Sequence, residues 1–249
     1  MQRRHLARAL AAAWAVRGLP AVAADAPAPG AGADKVLRYA FLAAETSFDP
    51  TKISDLYSRI VTAHMFEALY RFDYLARPAK IVPHTAAAMP EVSGDFRTWT
   101  IRIRPGVYFA DDPAFKGKPR ELTAADYVYS WKRFFDPANA GPSYSGFNEE
   151  GALGVNELRE QAQKSKRPFD YDREVEGIRA LDRYTLQFKL ANPRPRFFYT
   201  IADSSLIGAM AREVVEFYGD QIGEHPVGTG AFRLSEWRRS SRMVLVRHP

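Results

Sequence analysis

Residues 98–104 read Thr-Trp-Thr-Ile-Arg-Ile-Arg, so Trp99, Ile101 and Ile103 recur at every second position, with Thr100, Arg102 and Arg104 between them. A strict period of two describes a strand with one face in a core and the other toward water. A fold for this chain must therefore lay a second layer over that apolar face. The chain supplies one soon afterwards. Beyond the Pro105-Gly106 turn and the Gly117-Lys118-Pro119 break, Thr123-Ala124-Ala125-Asp126 has the form of a capping box, with Asp in place of the preferred Glu or Gln. The helix it opens carries Tyr127, Val128, Trp131, Phe134 and Phe135 on its buried side and stops at Asp136-Pro137. Strand and helix together predict one packed unit, with Trp131 as a core anchor.

The flanking chain alternates between the two periodicities. Val36–Leu42 has the length and composition of a strand, and Phe48-Asp49-Pro50 ends it. Ile60, Val61, His64, Met65, Ala68 and Leu69 then recur at helical spacing, with Ser54 or Ser58 as the cap. Residues 138–175 are irregular, with a short helix expected over 155–163. Leu186, Phe188 and Leu190 alternate with Thr185, Gln187 and Lys189 as a second strand, closed by Asn192-Pro193. A helix over 212–218 ends at Gly219, and 231–237 with 242–247 form a hairpin, its basic turn Arg238-Arg239 solvated.

The first residues carry a different signal. Arg3 and Arg4 precede the Ala-rich stretch 6–16, and Ala21-Val22-Ala23 places small residues where a signal peptidase reads them. Residues 1–23 are thus expected to be a signal peptide cleaved after Ala23, and residues 24–33, made of Pro, Gly, Ala and Asp, a flexible linker. No Cys follows, which excludes a thioether lipid anchor and predicts a product free in the periplasm. The formal charge of +6 includes Arg3, Arg4, Arg8 and Arg17; without residues 1–23 it is +2. With no basic stripe in the remainder, nucleic acid is not an expected partner. Beyond the leader no stretch approaches the roughly 18 apolar residues of a spanning helix.

Signatures of catalysis or cofactor binding are lacking. The histidines His5, His64, His84, His225 and His248 have no metal-site spacing, and there is no cysteine. His64 falls on the apolar stripe of its helix and reads as a hydrogen-bonded core or lobe-boundary histidine rather than a ligand. Gly228-Thr229-Gly230 lacks the third glycine of a dinucleotide fingerprint and leads into a strand rather than a helix, so a tight turn explains its glycines. The adjacent carboxylates Asp111-Asp112 and Glu149-Glu150 read as solvated loop pairs. No nucleophile elbow or P-loop is present. The expectation is no enzyme, no cofactor and no metal.

Six segments in order bear a resemblance. Ser47-Phe48-Asp49-Pro50, Phe66-Glu67-Ala68-Leu69, the Trp99–Val107 stretch, Leu122–Arg133 with Asp136-Pro137, Gly177–Asp182 and Val227–Phe232 are similar to the motifs of the peptide-binding, family 5 extracellular solute-binding proteins of ABC transporters. The resemblance implies an α/β fold of the periplasmic binding protein type II, with mixed sheets, flanking helices and hinge closure on a ligand. It implies residues 34–66 as a first segment of one lobe, 67–206 as a smaller subdomain and 207–249 as a second segment of that lobe. It also implies a second lobe that is missing from this chain.

The same resemblance assigns a role and site residues. Ser54, Asp55 and Leu56 would offer backbone groups to a peptide, Tyr144 would line a pocket from the loop after Asp136-Pro137, and Thr229 would line the cleft. Function would be capture of peptides or similar small solutes for an ABC permease and its ATPase. The alternatives are a sensor or adaptor using the same fold, a truncated fragment without function, or a hydrolase, which would need a nucleophile–base pair that the sequence does not display.

Overall fold

The structure is a computed structural model and describes residues 35–248. The expected signal peptide and linker lie outside the described residues. The chain divides into two units, residues 1–40 and 41–249. Residues 35–40 of the first run without regular structure. The strand expected over Val36–Leu42 does not form. Val36 and Leu37 are 66% and 92% exposed, and no strand of the described chain pairs with the segment. A strand exists only through its ladder, so composition without a partner leaves it as extended coil.

In the second unit the alternating segment is β4 (Thr98–Arg102), flanked in a four-stranded antiparallel sheet by β3 (Glu91–Val92) and β6 (Thr185–Lys189), with β5 (Ile178–Ala180) beyond β6. Trp99 stands opposite Phe188 and Ile101 opposite Leu186, which puts four apolar side chains on one face. All four are at most 3% exposed. Thr100 and Gln187 lie on the other face and hydrogen-bond across the strands at 3.1 Å.

Helix α2 (Ala124–Arg133) covers the apolar face. Its first turn is held as expected: the Asp126 carboxylate accepts from the Thr123 N–H at 2.7 Å and from the Thr123 hydroxyl at 2.8 Å. Trp131 is the anchor, 2% exposed and with its ring centroid 5.0 Å from Phe147, 4.9 Å from Phe188 and 5.8 Å from Phe197. Each such side chain contributes on the order of 1.5–3 kcal/mol by leaving water. Val128 is only half-buried. What periodicity did not anticipate is that Asp126, Lys132 and Arg133 of the same helix are also buried. Each is matched by partners, as a buried charge requires. Arg120 grips Asp126 at 2.6 and 3.0 Å, and the Lys132 ammonium donates to the carbonyls of Tyr171 and Arg173 at 3.0 and 2.7 Å.

The remaining elements frame this unit. Helix α1 (Leu56–Met65) precedes the hairpin β1 (Tyr70–Phe72) and β2 (Ile81–Pro83). Two helices, α3 (Tyr144–Glu149) and α4 (Val155–Ser165), occupy the region read as irregular, α4 in the place expected. Next come α5 (Phe197–Thr200), α6 (Arg212–Tyr218) ending at Gly219, and the hairpin β7 (Phe232–Arg238) with β8 (Arg242–Arg247). Helix α1 is shorter than its apolar pattern. It stops at Met65, and Ala68 and Leu69 are buried in the extended chain leading into β1. The acidic pairs are not simply solvated: Asp112 accepts from the Tyr218 hydroxyl at 2.9 Å and Glu150 from the Thr200 hydroxyl at 2.5 Å.

Candidate binding site

Ser54, Asp55 and Leu56 form the entry to α1. Asp55, rather than Ser54 or Ser58, is the N-cap: its carboxylate accepts from the Ser58 N–H at 2.8 Å and from the Thr46 hydroxyl at 2.6 Å. Asp is among the strongest caps because its oxygen reaches the first-turn N–H groups that have no intrahelical acceptor. Burial alone would raise the Asp55 carboxyl, but its bonds from Ser58 and Thr46 outweigh that and hold it below the usual carboxylate range. The Ser58 hydroxyl in turn accepts from the Thr46 N–H at 2.9 Å, which clasps residues 46–47 onto the helix. Ser54 and Leu56 flank this knot and are exposed, Leu56 at 65%. The Asp55 carboxylate is therefore engaged locally, and the exposed residues beside it are Ser54 and Leu56.

Thr229 lies at the other end of the helix. Gly230 donates its N–H to the Met65 carbonyl at 2.9 Å. A Cβ on Gly228 would fall 2.1 Å from the Met65 oxygen, and one on Gly230 2.6 Å from the His64 oxygen. Neither glycine has a positive φ. The reason for both glycines is thus close approach to the last carbonyls of α1, not the turn expected from the sequence. His64 is exposed, with its ring edge 6.0 Å from Phe232, so it is not the core histidine that its spacing suggested. The buried residues of α1 are Ser58, Val61, Thr62 and Met65, a stripe that passes His64 by.

Behind Thr229 sits a polar cluster that sequence reasoning missed. Glu67 and His84 pair at 2.9 Å between carboxylate and Nε2. Burial acts to raise the Glu67 carboxyl, but His84, the Thr229 hydroxyl and the Arg104 charge together hold it below its ordinary value. The Tyr127 hydroxyl is shared with Thr85 at 2.6 Å and lies 3.0 Å from the Glu67 carbonyl. Thr229, 8% exposed, thus meets a carboxylate anchored by several groups. Glu67 belongs to the Phe-Glu-Ala-Leu segment noted above; its partner His84 had no signal, because the two meet only through folding.

Tyr144 is the first residue of α3, not part of a loop. Its hydroxyl donates to Asn156 Oδ1 at 2.6 Å, while the Arg159 guanidinium stacks 4.0 Å from the ring centroid and Phe135 meets it edge-on. The side chain is half-buried and held on three sides. The segment before it does reach the α1 entry: a Cβ on Gly141 would come 2.5 Å from the Thr51 carbonyl oxygen. The structure therefore brings the approach to Tyr144 beside the chain that leads into Ser54–Leu56. It separates both from Thr229 by the length of α1, a 10-residue helix of ~15 Å.

On the flank of α1, Arg59 pairs with Asp203 at 2.5 Å and donates to the Ser205 hydroxyl at 3.0 Å. Among the described residues no group of three or more His, Cys, Asp or Glu side chains is placed to hold a metal ion. No helix among them is long and apolar enough to cross a membrane.

Residues 80–249 match the family described as bacterial extracellular solute-binding proteins, family 5 Middle. The periplasmic oligopeptide-binding protein OppA of Salmonella typhimurium is 31% identical over 232 residues, which are 92% of this chain and 39% of that protein. Among solved structures, Haemophilus influenzae OppA in complex with the peptide RPPGFSPFR superposes with a TM-score of 0.67 at 28% identity, over 83% of this chain and 37% of that one. The Escherichia coli murein tripeptide binding protein MppA gives a TM-score of 0.65 at 27% identity, over 83% and 36%. The chain thus spans about two-fifths of the length of these relatives, and its fold is the mixed α/β fold of the type II periplasmic binding proteins.

Proposed function

Because this chain belongs to the family 5 bacterial extracellular solute-binding proteins, we propose that it supplies one wall of a periplasmic peptide-capturing protein that hands its ligand to an ABC permease and ATPase. The observation that carries the reading is the entry to α1. There the Asp55 carboxylate is engaged by Ser58 and Thr46, and Ser54 and Leu56 are exposed on either side of it, where their main-chain groups would meet a peptide. A peptide backbone is recognised by such main-chain groups irrespective of its side chains, which suits a protein that must accept many sequences. Thr229 marks the far end of the wall, and Tyr144 braces the segment beside the entry through Arg159 and Asn156. In this reading residues 34–66 and 207–249 are the two segments of one lobe, and 67–206, which holds the four-stranded sheet, is the smaller subdomain.

Uptake of radiolabelled tri- and tetrapeptides by cells lacking the gene tests this. Uptake falls on deletion and returns with the parent gene, but not with a gene lacking codons 54–56. Unchanged uptake on deletion would remove transport as the role and leave a sensor or adaptor.

A further inference from the structure

The β1–β2 hairpin ends in a tip, residues 73–80, whose composition is unlike the rest of the surface. Tyr74 and Leu75 are 87% and 82% exposed, and Phe72, stacked 6.1 Å from the exposed Tyr199, extends the apolar side along the strand. Several backbone groups of this tip are bonded within it. Leu75 N–H donates to the Asp73 carboxylate at 3.0 Å and Ala76 N–H to the Asp73 carbonyl at 3.3 Å. The Arg77 guanidinium covers the carbonyls of Tyr74 and Ala76 at 3.2 and 2.8 Å, and the Asp73 N–H closes on the Lys80 carbonyl at 2.7 Å. Among the described residues, no carboxylate pairs with exposed Arg71, Arg77 or Lys80. Against the one acid, Asp73, they leave residues 71–80 with a net charge of +2.

We propose that this tip docks on an anionic lipid surface. An aromatic and an aliphatic side chain at a projecting point, ringed by exposed cations, match the interfacial region of a bilayer, where amphipathic rings and cations settle beside anionic headgroups. The N–H groups of Leu75 and Ala76 and the carbonyls of Tyr74 and Ala76 already have partners, which lowers the cost of bringing this part of the tip toward hydrocarbon. A protein groove is the poorer match, because a stable interface buries about 800 Å² per partner and two tip side chains supply a fraction of that. A second copy is disfavoured by the like charge of two facing tips.

Co-sedimentation of the whole chain with vesicles tests the proposal. Vesicles of phosphatidylcholine and phosphatidylglycerol in equal parts should retain about tenfold more protein than vesicles of phosphatidylcholine alone, and high salt should release it. Tyr74→Ser/Leu75→Ser and, separately, Arg71→Glu/Lys80→Glu should each lower retention about tenfold while circular dichroism stays that of the parent. Equal retention on both vesicles, or variants that bind like the parent, would overturn it. Self-association lost in the Tyr74→Ser/Leu75→Ser variant without lipid would assign the tip to a second copy instead.

Discussion

Arg133 of α2 meets Asp49, the residue before Pro50, through two hydrogen bonds of 2.9 Å, with side chains 2% and 0% exposed. Further partners surround the pair: Asp49 accepts from the Thr51 N–H and hydroxyl at 3.1 and 2.9 Å, and Arg133 lies 2.8 Å from the Met210 sulfur. This pair joins the chain entering α1 to the helix that covers the sheet, and Met210 brings in the segment before α6. Three stretches distant in sequence are thus held at one buried point.

Breaking that pair should be costly. Asp49→Ala leaves a buried guanidinium without its counter-ion, and the expected loss is about 3–5 kcal/mol. Arg133→Met in the Asp49→Ala background should recover part of it, since no unpaired charge then remains. Urea denaturation of the two single variants and the double variant measures this, and an additive double variant would contradict the pairing.

Acid should unfold the protein through the same carboxylates. Burial acts to raise Asp49, but the charge and hydrogen bonds of Arg133, with those of Thr51, hold it below the ordinary carboxylate range, and Glu67 is lowered by His84 and Thr229 against the same opposition. Folded-state values below the unfolded ones mean stability fully present above the unfolded pKa values, about 4, and lost as pH falls through the folded ones. The melting temperature is therefore expected to lose nothing to these two groups between pH 7 and about 5 and to fall below about 4. Glu67→Gln should make the acid limb shallower, as differential scanning calorimetry across this range can read.

Trp131 occupies the centre of an aromatic cluster with Phe147, Phe188 and Phe197. Trp131→Ala removes those contacts and leaves a cavity, at an expected cost of about 3–5 kcal/mol. A denaturation midpoint equal to the parent's would show that the cluster does not support the fold.

Gly228 and Gly94 make a matched comparison. A Cβ at Gly228 would meet the Met65 oxygen at 2.1 Å, whereas one at Gly94 meets nothing within 4 Å. Gly228→Ala should destabilise by about 1–3 kcal/mol, with Gly94→Ala within about 0.5 kcal/mol of the parent. Thermal melts of the two variants decide whether close packing on α1 is what the glycine serves.

Residues 24–249 on their own should bind peptides no more tightly than millimolar. One wall offers a few half-hydrated hydrogen bonds, each worth about 0.5–1.5 kcal/mol, against association costs of roughly 4–15 kcal/mol. Calorimetry with a mixed peptide library is the measurement. Micromolar affinity would mean that the elements described here carry the whole site.

The sequence by itself determined the local elements whose pattern and punctuation agree: β4 and β6 from their strict alternation, α2 between Thr123 and Asp136-Pro137, α4, α6 and the β7–β8 hairpin. In β4, β6 and α2 the residues that set the period, Trp99, Ile101, Leu186, Phe188, Tyr127 and Trp131 among them, are the ones buried against a neighbour. It also carried the family, because six short motifs keep their order along the chain. Tertiary structure decided the rest. Whether Val36–Leu42 becomes a strand depends on a partner, not on composition. Asp55 caps α1 because Thr46 folds back onto it, and Gly228 and Gly230 are small because α1 lies against them. The buried charges of α2, and the meeting of Glu67 with His84 and Asp49 with Arg133, left no trace in periodicity. A charged residue at a helical position reads as solvated until a partner from elsewhere in the chain compensates its burial, and only the fold brings that partner within 3 Å.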